Sequence, residues 1–346
     1  MKQIKIIILG LFLTTSTLTF HFVHFKRYKS YREQVKLYKD LNTSNYGNTS
    51  PDFYNNIEVD LPNLTLTTIP LKALKASYII ANEPIDSMNK AIDLLHKSMK
   101  ENPYLMYAEG SLAQLYFSLK KRDSAYYYSR KSFNGLPNNA IHFAMLSKLF
   151  ANEAKIDSII FYYNKLNSKT DKNIAKIFLA SMNNFFLDLD FDTKALVTQK
   201  TKKIKRDHIT DKEIQLLADY ILAGKDSINY ALDLEKKGEK LLVEKKFQEG
   251  IIKYQKALEI RKNNLPYIST IGLAYYNLSE YKKAIENLEI IESNGLELDP
   301  VSLYVKGISH LNLGQKNIGC DYLLRSSKYG NESASRDFNR ICQDQD

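Results

Sequence analysis

YISTIGLAYYNLSEYKKAIENL, residues 267–288, decides the fold. Its apolar and small residues recur at three and four positions, the period of an amphipathic helix, with a corner between two helices at Tyr281. Gly272 stands on the first helix and Ala284 on the second, small residues where two backbones must pack closely. Working outward from Gly272, Gly238 lies 34 residues before it and Gly307 lies 35 after it. Three companion series keep the same step: Phe247 and Tyr281 at the corner; Gly250, Ala284 and Gly319 on the second helix; Tyr254, Leu288 and Leu323 one turn on. A fixed period of this length marks a stack of two-helix units.

The earlier part of the chain repeats the phase. Ala113 and Ser147, Ala125 and Ile159, and Pro103 and Pro137 are each 34 apart. The units read as 70–105, 106–139, 140–173, a degenerate one at 174–207, then 231–264, 265–299 and 300–333. The fold class expected is all-α, a solenoid of about six to seven helical hairpins. The pattern over 69–333 resembles the tetratricopeptide repeat family, most clearly in 267–288 and in YAEGSLAQLYFSLKKRDSAYYYSRKSF (107–133). It departs from that family's consensus in lacking a tryptophan at the fourth position, where Leu234, Ile268 and Leu303 stand.

Composition agrees with long helices and short turns: of 346 residues, 44% are hydrophobic, with only 13 glycines and 8 prolines. The formal charge of +10 is unevenly placed. Residues 1–40 hold eight Lys/Arg against Glu33 and Asp40, so the other 306 residues carry only +4. The run Lys200, Lys202, Lys203, Lys205 and Arg206 is the one later cluster, too short for the extended basic face that counterion release requires. Nucleic acid is therefore disfavoured as a partner.

Residues 6–25 (IIILGLFLTTSTLTFHFVHF), beginning at Ile6 and ending at Phe25, carry no formal charge. As a helix they span about 30 Å, the thickness of the bilayer core. No A-x-A-like cleavage site follows, so we expect one uncleaved transmembrane helix in contact with the lipid bilayer. The organisation expected is thus 1–25, tail and anchor; 26–68, a basic juxtamembrane helix and flexible linker; 69–207, a first array; 208–230, an irregular connecting segment; and 231–346, a second array with a C-terminal capping helix. The basic flanks on the two sides of the anchor argue in opposite directions, and an extracytoplasmic body is preferred. Cys320 and Cys342, 22 apart without a CxxC motif, read as free, partly buried thiols in preference to a disulfide.

Enzyme chemistry finds no support. Ala223-Gly224-Lys225-Asp226-Ser227 lacks the earlier glycine of a phosphate-binding loop, Asp219 standing in its place. His96, His142, His208 and His310 are scattered without ligand spacing and read as surface or groove side chains; His21 and His24 sit near the anchor's far end. No catalytic, metal or cofactor residue is expected. The recurring Asp-Ser pairs at 86, 123, 157 and 226 read as helix caps, three of them where a second helix should begin.

The tetratricopeptide resemblance implies a ligand surface on the concave face, at the second, fifth, ninth and twelfth positions of each first helix. By phase these include Tyr107, Gln114, Phe117 and Lys148 in the first array, and Leu273, Tyr276, Tyr304 and Ile308 in the second. This aromatic and apolar groove implies a protein or peptide partner. A second, wider resemblance covers about the first 200 residues, including PNLTLTTIPLKALKASYIIAN (62–82) and LPNNAIHFAMLSKLF (136–150). The order of segments looks like the C-terminal repeat region of bacterial O-antigen ligase or polymerase-like proteins. It implies an accessory place in cell-envelope polysaccharide assembly.

Overall fold

The computed structural model describes residues 2–42, 56–57, 59–60, 64–65, 67–166 and 171–343, of which 2–11, 37–38 and 40–42 are described by their backbone alone. Among these residues the chain is helical, and its only extended pairing is an isolated bridge between Leu64 and Pro70. It divides into two compact units, Met1–Phe185 and Phe186–Asp346, each with its own apolar core.

The first unit begins with α1 (Lys2–Asn42). Three antiparallel hairpins follow: α2 (Leu71–Asn82) with α3 (Met88–Ser98), α4 (Tyr107–Ser118) with α5 (Arg122–Gly135), and α6 (Ala140–Ala151) with α7 (Ile156–Asn164). Helix α8 (Lys172–Asn183) closes the unit against α6. The second unit pairs α9 (Phe191–Asp207) with α10 (Lys212–Ala223), α11 (Lys225–Val243) with α12 (Phe247–Ile260), α13 (Leu265–Asn277) with α14 (Tyr281–Ser293), and α15 (Pro300–Asn312) with α16 (Lys316–Lys328). It ends in α17 (Glu332–Phe338) and a π-helical turn, Asn339–Gln343. The architecture is tetratricopeptide-like.

Residues 174–207, expected as one degenerate hairpin, fall on both sides of the division instead. Helix α9 buries only the stripe Val197, Thr201 and Ile204, wide enough for one neighbour, and that neighbour is α10. The stretch 208–230, expected to be irregular, is regular helix apart from short turns at 208–211 and at Gly224. Gly224 has φ +84°, a left-handed conformation that glycine adopts without penalty, and it turns α10 directly into α11.

Each hairpin is made by two different termini. Several first helices begin on an Asn or Asp whose side chain accepts free N–H groups: Asn139 from Ile141 and His142, Asp190 from Thr193, Asn264 from Tyr267, Asp299 from Val301 and Ser302. Pro266 and Pro300 add a fixed φ in the first turn of α13 and α15. First helices end in a tight turn centred on a residue with positive φ: Lys120, Ala154, Lys245, Ser279 and Gly314. The next N–H reaches back five residues to close it, as from Lys121 to Tyr116 O (2.8 Å) and from Glu280 to Tyr275 O (2.9 Å). This is the Schellman arrangement, here mostly without glycine.

Apart from α10, where Asp211 accepts from Glu213 and Ile214, second helices carry no side-chain cap. The Asp-Ser pairs expected to cap them lie one step too far in: α5 starts at Arg122 and α7 at Ile156, so Asp123 and Asp157 are already inside the first turn. Their carboxylates face the positive end of the helix dipole instead.

The small-residue series sits where helices touch. A Cβ on Gly238 would stand 2.9 Å from the Tyr254 ring, and one on Gly272 would meet Leu288 at 3.2 Å and Ala284 O at 3.4 Å. A Cβ on Gly319 would stand 2.8 Å from Gly307 O, so α15 and α16 are nearly in backbone contact. Leu234, Ile268 and Leu303, standing in place of the tryptophan, are all buried.

The expected anchor lies in α1. Among the described residues, no helix is long and apolar enough to cross a membrane. From Phe12 onward the segment is diluted by Thr14, Thr15, Ser16, Thr17, Thr19, His21 and His24, while the side chains of its most apolar part, 6–11, lie outside those described. The expected linker also lies largely outside the described residues. The cysteines are a correction: Cys320 and Cys342 form a disulfide, with Cα atoms 5.8 Å apart. The π-helical turn after α17 bends Cys342 back onto α16, a return that sequence spacing does not reveal.

Candidate functional site

In the first unit the groove positions are already engaged. Tyr107 OH lies 3.1 Å from Ser77 Oγ, joining α4 to α2, and its ring packs against the core of the first hairpins. Lys148 Nζ lies over the Phe117 ring at 5.0 Å, a cation–π contact between α6 and α4. Gln114 is exposed.

In the second unit Leu273, Tyr276 and Tyr304 pack together on a core of Ile268, Leu288 and Leu303. Tyr304 OH donates to Asp337 Oδ2 of α17 at 2.9 Å. Burial and this hydrogen bond push its pKa up to about 12. Tyr276 stands 6.1 Å from the Tyr281 ring and is also raised, first by burial. Ile308 is half-buried.

A cleft of about 840 Å³ lies in the second unit. Leu216, Leu232, Leu265, Leu296 and Leu298 give it an apolar lining; Gln215, Glu235, Arg261, Tyr267 and Ser269 give it a polar wall. That wall is rigid. Asp219, buried, holds Lys205 Nζ and Arg261 Nε, the latter at 2.9 Å. Arg261 Nη1 donates to Tyr267 OH at 2.9 Å, and Tyr267 OH donates to Glu235 Oε2 at 2.7 Å. Lys205 also reaches Lys262 O, so the strongest member of the basic run is consumed internally, and Lys203 and Arg206 face Asp207.

Sequence reading missed this cleft, although the signal was present. The phase that yields Leu273 and Tyr276 also yields Leu232 and Glu235 in the hairpin that opens at 231, and Pro266 and Ser269 in the next. All four line the cleft. The remaining side, Ile209, Lys212, Gln215 and Leu216, comes from α10 and the turn before it, the stretch that lacked a repeat phase.

Two of the histidines expected as surface or groove side chains lie in the interior. His142 and His310 are buried, His310 stacking on Tyr322 with centroids 5.6 Å apart. Burial lowers the pKa of His142. Among the described residues, no three His, Cys, Asp or Glu side chains are grouped for a metal ion.

No protein-family model and no curated protein matches the sequence. Among solved structures the chain is similar to a tetratricopeptide repeat protein from Parabacteroides merdae ATCC 43184, at 10% identity over 79% of this chain and 98% of that one, with a TM-score of 0.35. It is similar to the TPR domain of P58(IPK) at 10% identity over 91% and 98% of the two chains, with a TM-score of 0.38. A third is the TPR2AB domain of yeast Sti1, solved in complex with pHSP90, at 13% identity over 68% and 96%, with a TM-score of 0.28. At these values the fold stands on the packing described above.

Proposed function

We propose that the chain is a membrane-anchored bacterial scaffold that holds an extended segment of a partner protein in the groove of its second unit. The observation that carries this reading is the cleft lined by Leu232, Glu235, Arg261, Tyr267 and Ser269. Its apolar floor accepts a side chain of the partner, and its wall offers fixed donors and acceptors to the partner's backbone. Because the wall is held by the Asp219–Arg261–Tyr267–Glu235 chain, little ordering is lost on binding. The engaged residues Tyr107, Phe117 and Lys148 serve the stacking of hairpins, and Leu273, Tyr276, Tyr304 and Ile308 extend the groove beyond the cleft.

Anchoring through 6–25 is supported by the exposure of Phe12, Leu13, Leu18, Phe20, Phe22 and Phe25 along α1. An extracytoplasmic body is supported by the Cys320–Cys342 bridge, since such bonds persist in oxidising compartments.

Capture from native membranes with the intact chain and with Leu232→Asp tests the reading. A protein recovered by the first and lost by the second supports it; recovery unchanged by the substitution overturns it. Recovery of polysaccharide polymerases or ligases would instead favour the accessory role in glycan assembly implied by the weaker resemblance. A reporter fused at the C-terminus checks the side of the membrane: activity confined to a cytoplasmic reporter would refute the extracytoplasmic placement.

A further inference from the structure

Helix α5 presents a second surface that the groove does not use. Arg122, Tyr126 and Arg130 follow one another at four-residue steps on one face, with Asp123, Tyr127 and Lys131 on the adjoining row. Together with Glu153 and Lys155 they line a concavity of about 600 Å³. Tyr126 is fixed: its OH donates to Leu149 O at 3.1 Å, and its ring carries the Arg130 guanidinium at 5.4 Å and Lys155 Nζ at 5.5 Å. Tyr127 is 61% exposed, with Tyr128 edge-on to its ring at 4.9 Å.

The charge here is not balanced. Four cations, Arg122, Arg130, Lys131 and Lys155, face two acids, Asp123 and Glu153. Lys155 answers Glu153 at 2.6 Å, and Lys131 turns to Glu109 at 3.3 Å. Among the described residues neither Arg122 nor Arg130 makes an ion pair, and both are exposed. Two guanidiniums without a carboxylate within salt-bridge distance thus stand at the ends of a tyrosine platform, Arg130 lying over the Tyr126 ring. Eight helical residues separate them, about 12 Å along the axis.

An extended peptide advances about 3.3 Å per residue and points alternate side chains to one side. Residues four apart therefore lie about 13 Å apart on the same face, and the residue between them falls at the midpoint. We propose that this face of α5 binds an extended acidic segment of a partner protein, with the pattern acid-x-apolar-x-acid. The two carboxylates take the planar guanidiniums of Arg122 and Arg130, which suit bidentate pairing. The central apolar side chain lies on the exposed ring of Tyr127. This rests on the scaffold reading and gives the partner a chemistry, at a surface separate from the cleft.

The test uses the full chain and a fluorescently labelled peptide, Ser-Glu-Ser-Phe-Ser-Glu-Ser, followed by anisotropy. The peptide is expected to bind, to bind more weakly as salt is raised, and to lose at least about tenfold in affinity when Arg122→Glu and Arg130→Glu are combined. Both positions are exposed, so an unchanged far-UV circular dichroism spectrum is the expected control. The charge-swapped peptide, Ser-Lys-Ser-Phe-Ser-Lys-Ser, should be ignored by the native chain and bound by the doubly reversed one.

Equal binding of both peptides by the native chain, or no effect of the reversal, would overturn the proposal. Binding of a sulfated polysaccharide through these arginines while the acidic peptide stays free would overturn it too. Leu232→Asp should leave the peptide bound; its loss there would assign the peptide to the cleft, ending this proposal while the scaffold reading stands.

Discussion

Lys306 shows how much depends on single side chains in these hairpins. Its side chain is 2% exposed, and its ammonium is bonded to Glu292 and lies 4.7 Å from the Tyr322 ring centroid. Burial alone would lower its pKa, but the bonds to Glu292 and Tyr322 outweigh that and raise it. Glu292→Ala leaves a buried cation poorly paired and should cost about 3 kcal/mol. Glu289, at 3.7 Å and largely exposed, is the contrast: Glu289→Ala should stay within about 0.5 kcal/mol. Denaturant titration of the two variants checks the difference, and equal losses would mean that Glu292 is not the principal counter-ion. Gly319→Ala belongs to the same scale. Its Cβ has only 2.8 Å to Gly307 O, a backbone atom that cannot rotate away, so a loss of about 1–3 kcal/mol is expected. Ser279→Gly should act in the opposite sense, relieving a left-handed residue and raising stability by about 0.5 kcal/mol.

At the scale of elements, α17 depends on a covalent tie. It is seven residues long, and the disulfide closes a segment with a sequence separation of 22. Such a link is worth about 3 kcal/mol in the chain-entropy account. Reduction should lower the melting temperature, and hydrogen exchange should first quicken in α17, where Tyr304 would lose Asp337. Exchange that quickens elsewhere first would refute this order.

The elements were unevenly legible in the sequence. The small-residue series located the contacts between helices because close backbone approach favours Gly, Ala and Ser. The caps were misassigned because Asp-Ser before an apolar residue looks alike at the cap and inside the first turn. The Schellman turns left no mark, since Lys120, Ala154, Lys245 and Ser279 adopt positive φ without being glycine. The cleft was half visible, through Leu232 and Glu235; its other wall is α10, whose residues follow no period. Buried tyrosines give the elements a common pH response. Tyr126, Tyr254 and Tyr304 are raised to about 12, chiefly by burial, and Tyr267 is raised further. The folded state then keeps protons that an unfolded tyrosine releases near 10. Their contribution is complete below about pH 10 and is lost as pH climbs through about 12. Melting curves at about pH 8 and about pH 11 should show the drop, and a flat response would remove these hydroxyls from the account.

At the scale of the whole molecule, the division at Phe185 and Phe186 makes a claim about autonomy. Stacked hairpins are stable when every inner face has a neighbour and both ends carry polar outer faces. Unit 186–346 meets both conditions within itself. Helix α9 gives its buried stripe to α10 and keeps an outer face that is polar apart from Phe191 and Leu196, and α17 closes the other end, fastened by the disulfide. The Asp219 network and every residue lining the cleft fall inside this range. A fragment of 186–346 should therefore unfold in one cooperative transition and retain the partner captured by the intact chain. A broad melt with exposed apolar surface, reported by dye binding, would show that the core is not self-sufficient. A cooperative fragment that fails to capture the partner would instead place recognition in the first unit, where Gln114 is exposed and the exposed arginines of α5 lie.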